Sequence, residues 1–224
     1  MSARAERVQH PDEPLLKLLG KIAARDTHES MRLLGSSPAL ASQTVAIGAT
    51  RADSHPYFFR DIAHYAYAGD TSLHFAAAAY ETELARALIA RGAEVRARNR
   101  RGAEPLHYAC DGGPGSAWWN ADAQFAMVTF LLSAGAEIHA VDASGVAPLH
   151  RAVRNRCTGA VRALLLSGAD ARATNRTGST PLHLAMLNTG RSGSGTAEAR
   201  EQQAEIIRLL LAHGAEPADR VHKG

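Results

Sequence analysis

The chain has 224 residues, 46% hydrophobic and 21% charged, a balance that excludes disorder throughout and fits one or two soluble domains. With 25 Lys and Arg against 22 Asp and Glu its formal charge is +3, far below the density of a dedicated nucleic-acid binder. A charged start (Met1–Arg7), no apolar run of about 18 residues, and distant cysteines Cys110 and Cys157 argue against a leader, a membrane span, a disulfide framework and a zinc finger; a cytoplasmic protein is expected.

In chain order, residues 1–10 read as a loose tail. Leu15-Leu16, Leu18-Leu19, Met31 and Leu33-Leu34, with Pro38 after them, read as a divergent helical repeat that caps the N-terminal end of a stack. The aromatic stretch Tyr57-Phe58-Phe59 through Ile62 reads as a lid, so that 11–68 forms a capping repeat plus lid. From Gly69 a unit recurs four times. The pairs Leu73-His74, Leu106-His107, Leu149-His150 and Leu182-His183 are 33, 43 and 33 residues apart, and each unit closes on apolar residues before Gly92, Gly135, Gly168 or Gly214.

Each unit translates into two helices. Pro105, Pro148 and Pro181 suit the first helical position, where a missing N–H costs nothing. Pairs such as Met127-Val128 with Leu131-Leu132, or Ile206-Ile207 with Leu210-Leu211, give the second helix one apolar stripe. The closing glycine takes the left-handed conformation that ends it. Such short helices bury their stripes only by stacking on neighbours. Extra residues enter between the helices near 111–120, where Trp118, Trp119 and the N-cap candidate Asn120 lie, and near 188–196, where Thr196 is the cap candidate. Gly190 through Gly195-Thr196 fails as a phosphate loop because the lysine is missing. Residues 218–224 read as a second tail.

This pattern resembles the ankyrin repeat, through the 33-residue period, the Thr-Pro-Leu-His start and the Leu-Leu-x-x-Gly-Ala close, over residues 69–217. Only Thr180-Pro181-Leu182-His183 is intact; Ser72, Glu104 and Ala147 depart from it. The resemblance implies an all-α solenoid of helix-turn-helix units joined by short β-hairpin fingers, working as a non-enzymatic protein-interaction scaffold without cofactor or metal. It places Arg98, Arg100, Arg101, Asp111, Ser144, Arg154, Asn155, Arg176 and Asn188 on the concave face. Trp118 and Trp119 are a further contact candidate, weighed against simple packing.

The arginine row suits a partner protein with an acidic surface, and the alternative is a nucleic-acid binder using the same fingers. The recurrence of His74, His107, His150 and His183 argues for hydrogen bonds that tie each turn to the next unit, since an active site needs unlike groups converging once. A monomer without catalytic residues is the expectation.

Overall fold

The computed structural model describes residues 11–187 and 195–217. Proline and capping side chains open the helices. These are α1 (Glu13–Ala23) with α2 (Thr27–Ser36), α3 (Ser72–Ala79) with α4 (Thr82–Ile89), α5 (Pro105–Ala109) with α6 (Ala121–Ser133), α7 (Pro148–Arg154) with α8 (Thr158–Leu166), and α9 (Pro181–Met186) with α10 (Ala197–Ala212). Asn120 and Thr196 accept from the backbone N–H groups of Ala123 and Ala199, satisfying donors that a helix start leaves open. Gly92, Gly135, Gly168 and Gly214 sit at φ between 88° and 100°, where an L side chain is strained, and Ala93 N–H reaches back to the Leu88 carbonyl to close the helix end.

Stacking buries the stripes. Helix α3 packs on both α1 and α5, α7 packs on α9, and among the second helices α6 packs on α8 and α8 on α10. One continuous core runs through the stack, from Leu15, Leu18 and Leu19 through Leu73, Leu84, Leu106 and Met127 to Leu164, Ile206 and Leu210. The result is an all-α solenoid in which each unit supplies half of its neighbour's interior.

The histidine of each first helix is buried or half-buried at the junction between units. Nδ1 of His74 and His107 accepts from the backbone N–H of Thr71 and Glu104, at 3.1 Å each. Their Nε2 atoms donate to the carbonyls of Ala103 and Val146 in the adjacent unit, again at 3.1 Å. His150 Nε2 likewise reaches the Ala173 carbonyl at 3.0 Å. These bonds require the neutral Nε2–H tautomer, and burial accordingly lowers all three pKa values, that of His107 to about 4.

The connections between units run along one edge as fingers. Those from α4 to α5, α6 to α7 and α8 to α9 end in tight turns rather than strands, closed by bonds such as Asn99 N–H to the Ala103 carbonyl and Asp142 N–H to the Val146 carbonyl. Neighbouring fingers are linked by Arg100 N–H to Ala68 and Ala143 N–H to Arg101. The connection from α2 to α3 is far longer. Its ends pair through Thr44 with Thr71 and Gly48 with Tyr67, and its middle holds the small antiparallel hairpin β1 (Phe58–Phe59) with β2 (His64–Tyr65). Phe59 packs edge-on against Phe75 of α3 at 4.8 Å. Beyond it, the His64 ring stacks on Tyr108 of α5, with centroids 4.3 Å apart. The aromatic stretch read as a lid therefore lies over the first helices of the stack and reaches their groove side.

Candidate functional site

Asp111 lies just past the C-terminus of α5, at the start of the first insertion. Its carboxylate accepts two bonds from Arg151 of α7, Nε to Oδ1 and Nη2 to Oδ2 at 2.6 Å each, one from Asn155 Nδ2 at 3.0 Å, and it faces His64 Nε2 at 2.6 Å. Arg151 and Asn155, one helical turn apart, share a helix face, which is why α7 delivers both. Burial opposes the charged carboxylate, but Arg151 and His64 outweigh it and hold the Asp111 pKa well below the usual carboxylate range. Burial likewise opposes the Arg151 charge, and Asp111 more than restores it. The backbone carbonyl of Asp111 accepts from the Tyr80 hydroxyl and from Gln124 Nε2. Gly113 permits this closeness: a Cβ there would lie 2.2 Å from the Asn155 carbonyl oxygen, and its φ of 125° is itself a glycine conformation.

A second buried carboxylate lies under the first finger. Asp70 accepts from Tyr67 N–H at 2.7 Å, Asn99 Nδ2 at 2.8 Å and the Tyr108 hydroxyl at 2.8 Å. Tyr108 thus bonds Asp70 with its hydroxyl while its ring supports His64, joining the two networks.

Between them opens a polar cleft of about 280 Å³. His64 and Tyr67 wall it on the first-finger side, Arg101 and Ser144 come from the next two fingers, and Arg151, Arg154 and Asn155 from α7. Arg101 Nη1 donates to the Tyr67 hydroxyl at 2.9 Å and its guanidinium lies over that ring at 4.9 Å. Asp142 accepts from Ser144 N–H and Val146 N–H, which fixes the turn of the third finger. Arg154 is exposed and makes no hydrogen bond or ion pair with the described residues.

Of the residues placed on the concave face by sequence, Arg101, Asp111, Ser144, Arg154 and Asn155 line this cleft. Three other arginines serve the fingers themselves. Arg98 donates to the carbonyls of Gly102 and Val141, Arg100 to Ala49, and Arg176 to Ala143 at 2.9 Å. Asn188 lies outside the described residues. Trp118 and Trp119 are half-buried against the core on the edge away from the fingers, where the Trp118 carbonyl accepts from Arg25 and Trp119 Nε1 donates to Gln124. Sequence reasoning did not single out His64, Tyr67, Asp70, Asn99 or Tyr108. They are joined by contacts such as His64 with Asp111 and Tyr108 with Asp70, 47 and 38 residues apart, which no local pattern marks.

The cysteines do not supply a nucleophile. Burial pushes the Cys110 thiol well above its ordinary pKa and that of Cys157 up to about 12, and the Cys157 Sγ lies 3.5 Å from the Cys110 carbonyl. The arginines flanking Cys157 therefore do not activate it. Among the described residues no cluster of three His, Cys, Asp or Glu is placed to hold a metal, and no helix is long and apolar enough to cross a membrane.

Comparison with curated proteins gives no match. Comparison with protein families gives two: residues 68–100 match the ankyrin repeat, and residues 116–221 match ankyrin repeats in three copies. Together they cover more than half of the chain, in register with the helix pairs α3 to α10, and the protein belongs to the ankyrin-repeat family, whose members are generally protein-interaction modules.

Proposed function

We propose that this protein is a non-catalytic scaffold that binds an acidic segment of a partner protein in the cleft between the first finger and α7. The observation that carries the reading is the charge left over there. Arg151 and Asp111 neutralise one another, and among the remaining charges of the lining Arg101 and Arg154 outnumber the one carboxylate, Asp142, whose Oδ1 is taken by backbone N–H groups of the third finger. An extended acidic chain would place carboxylates on these two guanidiniums, with the Ser144 hydroxyl as a neutral donor beside them. The chain then divides into 11–68 as capping repeat and lid and 69–217 as four repeats, with tails on either side. We assign the protein to the cytoplasm and to the monomeric state.

The test is capture from lysate of the source cells, with and without nuclease, by wild-type protein and by the double variant Arg101→Glu, Arg154→Glu. The expected result is a protein held by the wild type, indifferent to nuclease and lost by the variant. Capture that vanishes with nuclease favours the nucleic-acid reading, and capture by both versions moves the site away from the cleft.

A further inference from the structure

The long first finger creates a second pocket that the repeat units alone do not have. It holds about 430 Å³ and is lined by Thr50, Arg51, Ser54, Tyr65, Arg100 and Arg101, with Tyr67 standing between it and the cleft described above. Its lining contains three arginines and no carboxylate. Arg100 is positioned by its bond to the Ala49 carbonyl, Arg101 by the Tyr67 hydroxyl, and both guanidiniums lie over the Tyr67 ring, at 5.4 and 4.9 Å. Arg51 is exposed and makes no hydrogen bond or ion pair with the described residues. The one carboxylate of the same turn, Asp53, is not part of the lining.

Two features decide the chemistry of the ligand. A lone carboxylate carries one charge and is matched by one guanidinium fork, whereas three guanidiniums around one cavity match a tetrahedral group of charge near −2. The aromatic surface is partly taken: Tyr67 is covered by Arg100 and Arg101, and Tyr65 packs against Phe58 at 4.8 Å. The lining thus offers three guanidiniums and one partly open tyrosine, which favours a phosphate over a stacked base.

We infer that the pocket formed by the first finger with Arg51, Arg100 and Arg101 is a phosphate-monoester subsite that receives a phosphorylated side chain of the partner protein. The inference deepens the reading of the adjacent cleft as a partner site: an acidic segment crossing the Tyr67–Arg101 ridge would set a carboxylate near Arg154 and the phosphate beside Arg51. Phosphorylation of the partner then strengthens binding by adding one anchoring group.

Phenyl phosphate is the probe, monitored through the arginine side-chain N–H signals in nuclear magnetic resonance spectra of the full chain. Saturable shifts are expected at Arg51, Arg100 and Arg101, binding about fivefold or more weaker in Arg51→Ala and unchanged in Arg208→Ala, and no saturable response to acetate. Arg51 bonds to no described residue and Arg208 makes only an exposed pair with Glu205, so both variants keep the fold, and because phenyl phosphate needs no partner chain its binding is read separately from the cleft, which the capture experiment tests. Absence of saturation, equal binding by Arg51→Ala, equal binding of acetate, or tighter binding of adenosine 5′-monophosphate than of phenyl phosphate would overturn the inference, the last in favour of a nucleic-acid ligand.

Discussion

The two halves of the solenoid treat their concave face differently. Over α1, α3 and α5 the long first finger lies on the first helices and is fastened by buried Asp70, which accepts from Tyr67, Asn99 and Tyr108, and by half-buried Asp111, which gathers His64, Arg151 and Asn155. Beyond α7 there is no such cover among the described residues, and Met186 at the end of α9 is 58% exposed. Solenoid stability sums over units and their interfaces, so extra long-range bonds in one half make a gradient along the stack. The cleft sits where the covered half ends. A firm wall meets an open helix face there, which suits positioning of charged side chains on one side and access on the other.

The sharpest way to break this comparison is to cut the fastening. Asp111→Ala leaves the half-buried Arg151 guanidinium without its anion, and a loss of about 3 kcal/mol is expected in urea unfolding, with the covered half affected first. If the loss stays below about 1 kcal/mol, the fastening is not what distinguishes the halves.

Acid gives a second, graded test. The folded pKa of His107 is depressed to about 4 by burial, so its contribution is complete above the unfolded value of about 6.5 and is lost as pH falls from there to about 4, some 3 kcal/mol over the whole window. His74 and His150 shift in the same direction and add to the slope. The depressed Asp111 acts lower down, since its contribution is present above the unfolded carboxylate value of about 3.9 and disappears only below it. Denaturant unfolding at pH 7, 5.5 and 4.5 should show stability falling steadily, and the fall should be shallower in His107→Gln.

Tyr108→Phe removes the hydroxyl that bonds Asp70 and Asn99 while keeping the ring under His64; about 1–3 kcal/mol should be lost without change in the pH slope. The smallest effect lies in the open half. Ala147 caps α7 with no side-chain oxygen, where Thr180 accepts from His183 N–H in the next unit, so Ala147→Thr should stabilise by about 1 kcal/mol. Glu104, buried in the covered half with Oε2 unpartnered and its pKa raised by burial, makes the same substitution informative there. Because the carboxylate is held towards its neutral form, its cost grows as pH rises through the unfolded value, and the gain from Glu104→Thr should be larger at pH 8 than at pH 4.

The repeat itself was legible because its information is local. Pro105, Pro148 and Pro181 open their helices, Asn120 and Thr196 cap theirs, and the four glycines end them where the period placed them. The first finger was not, since residues 44–70 have no period and owe their course to pairings such as His64 with Asp111, 47 residues apart, and Asp70 with Tyr108, 38 apart. The arginines were legible as a row but not individually. Stacked fingers present carbonyl oxygens to one another, and Arg98, Arg100 and Arg176 bond those oxygens, whereas Arg154 on α7 bonds none of them. Asp111 was placed in the groove for its position alone; that it neutralises Arg151 emerges only when α5 and α7 are side by side.

The most direct test of the cleft is amide hydrogen exchange of the protein alone and in complex with the protein it captures. New protection is predicted around Arg101, Ser144 and Arg154–Asn155, with little change at 113–120 and along α6 and α8. Protection confined to the Trp118–Trp119 insertion or to those outer helices would contradict the account.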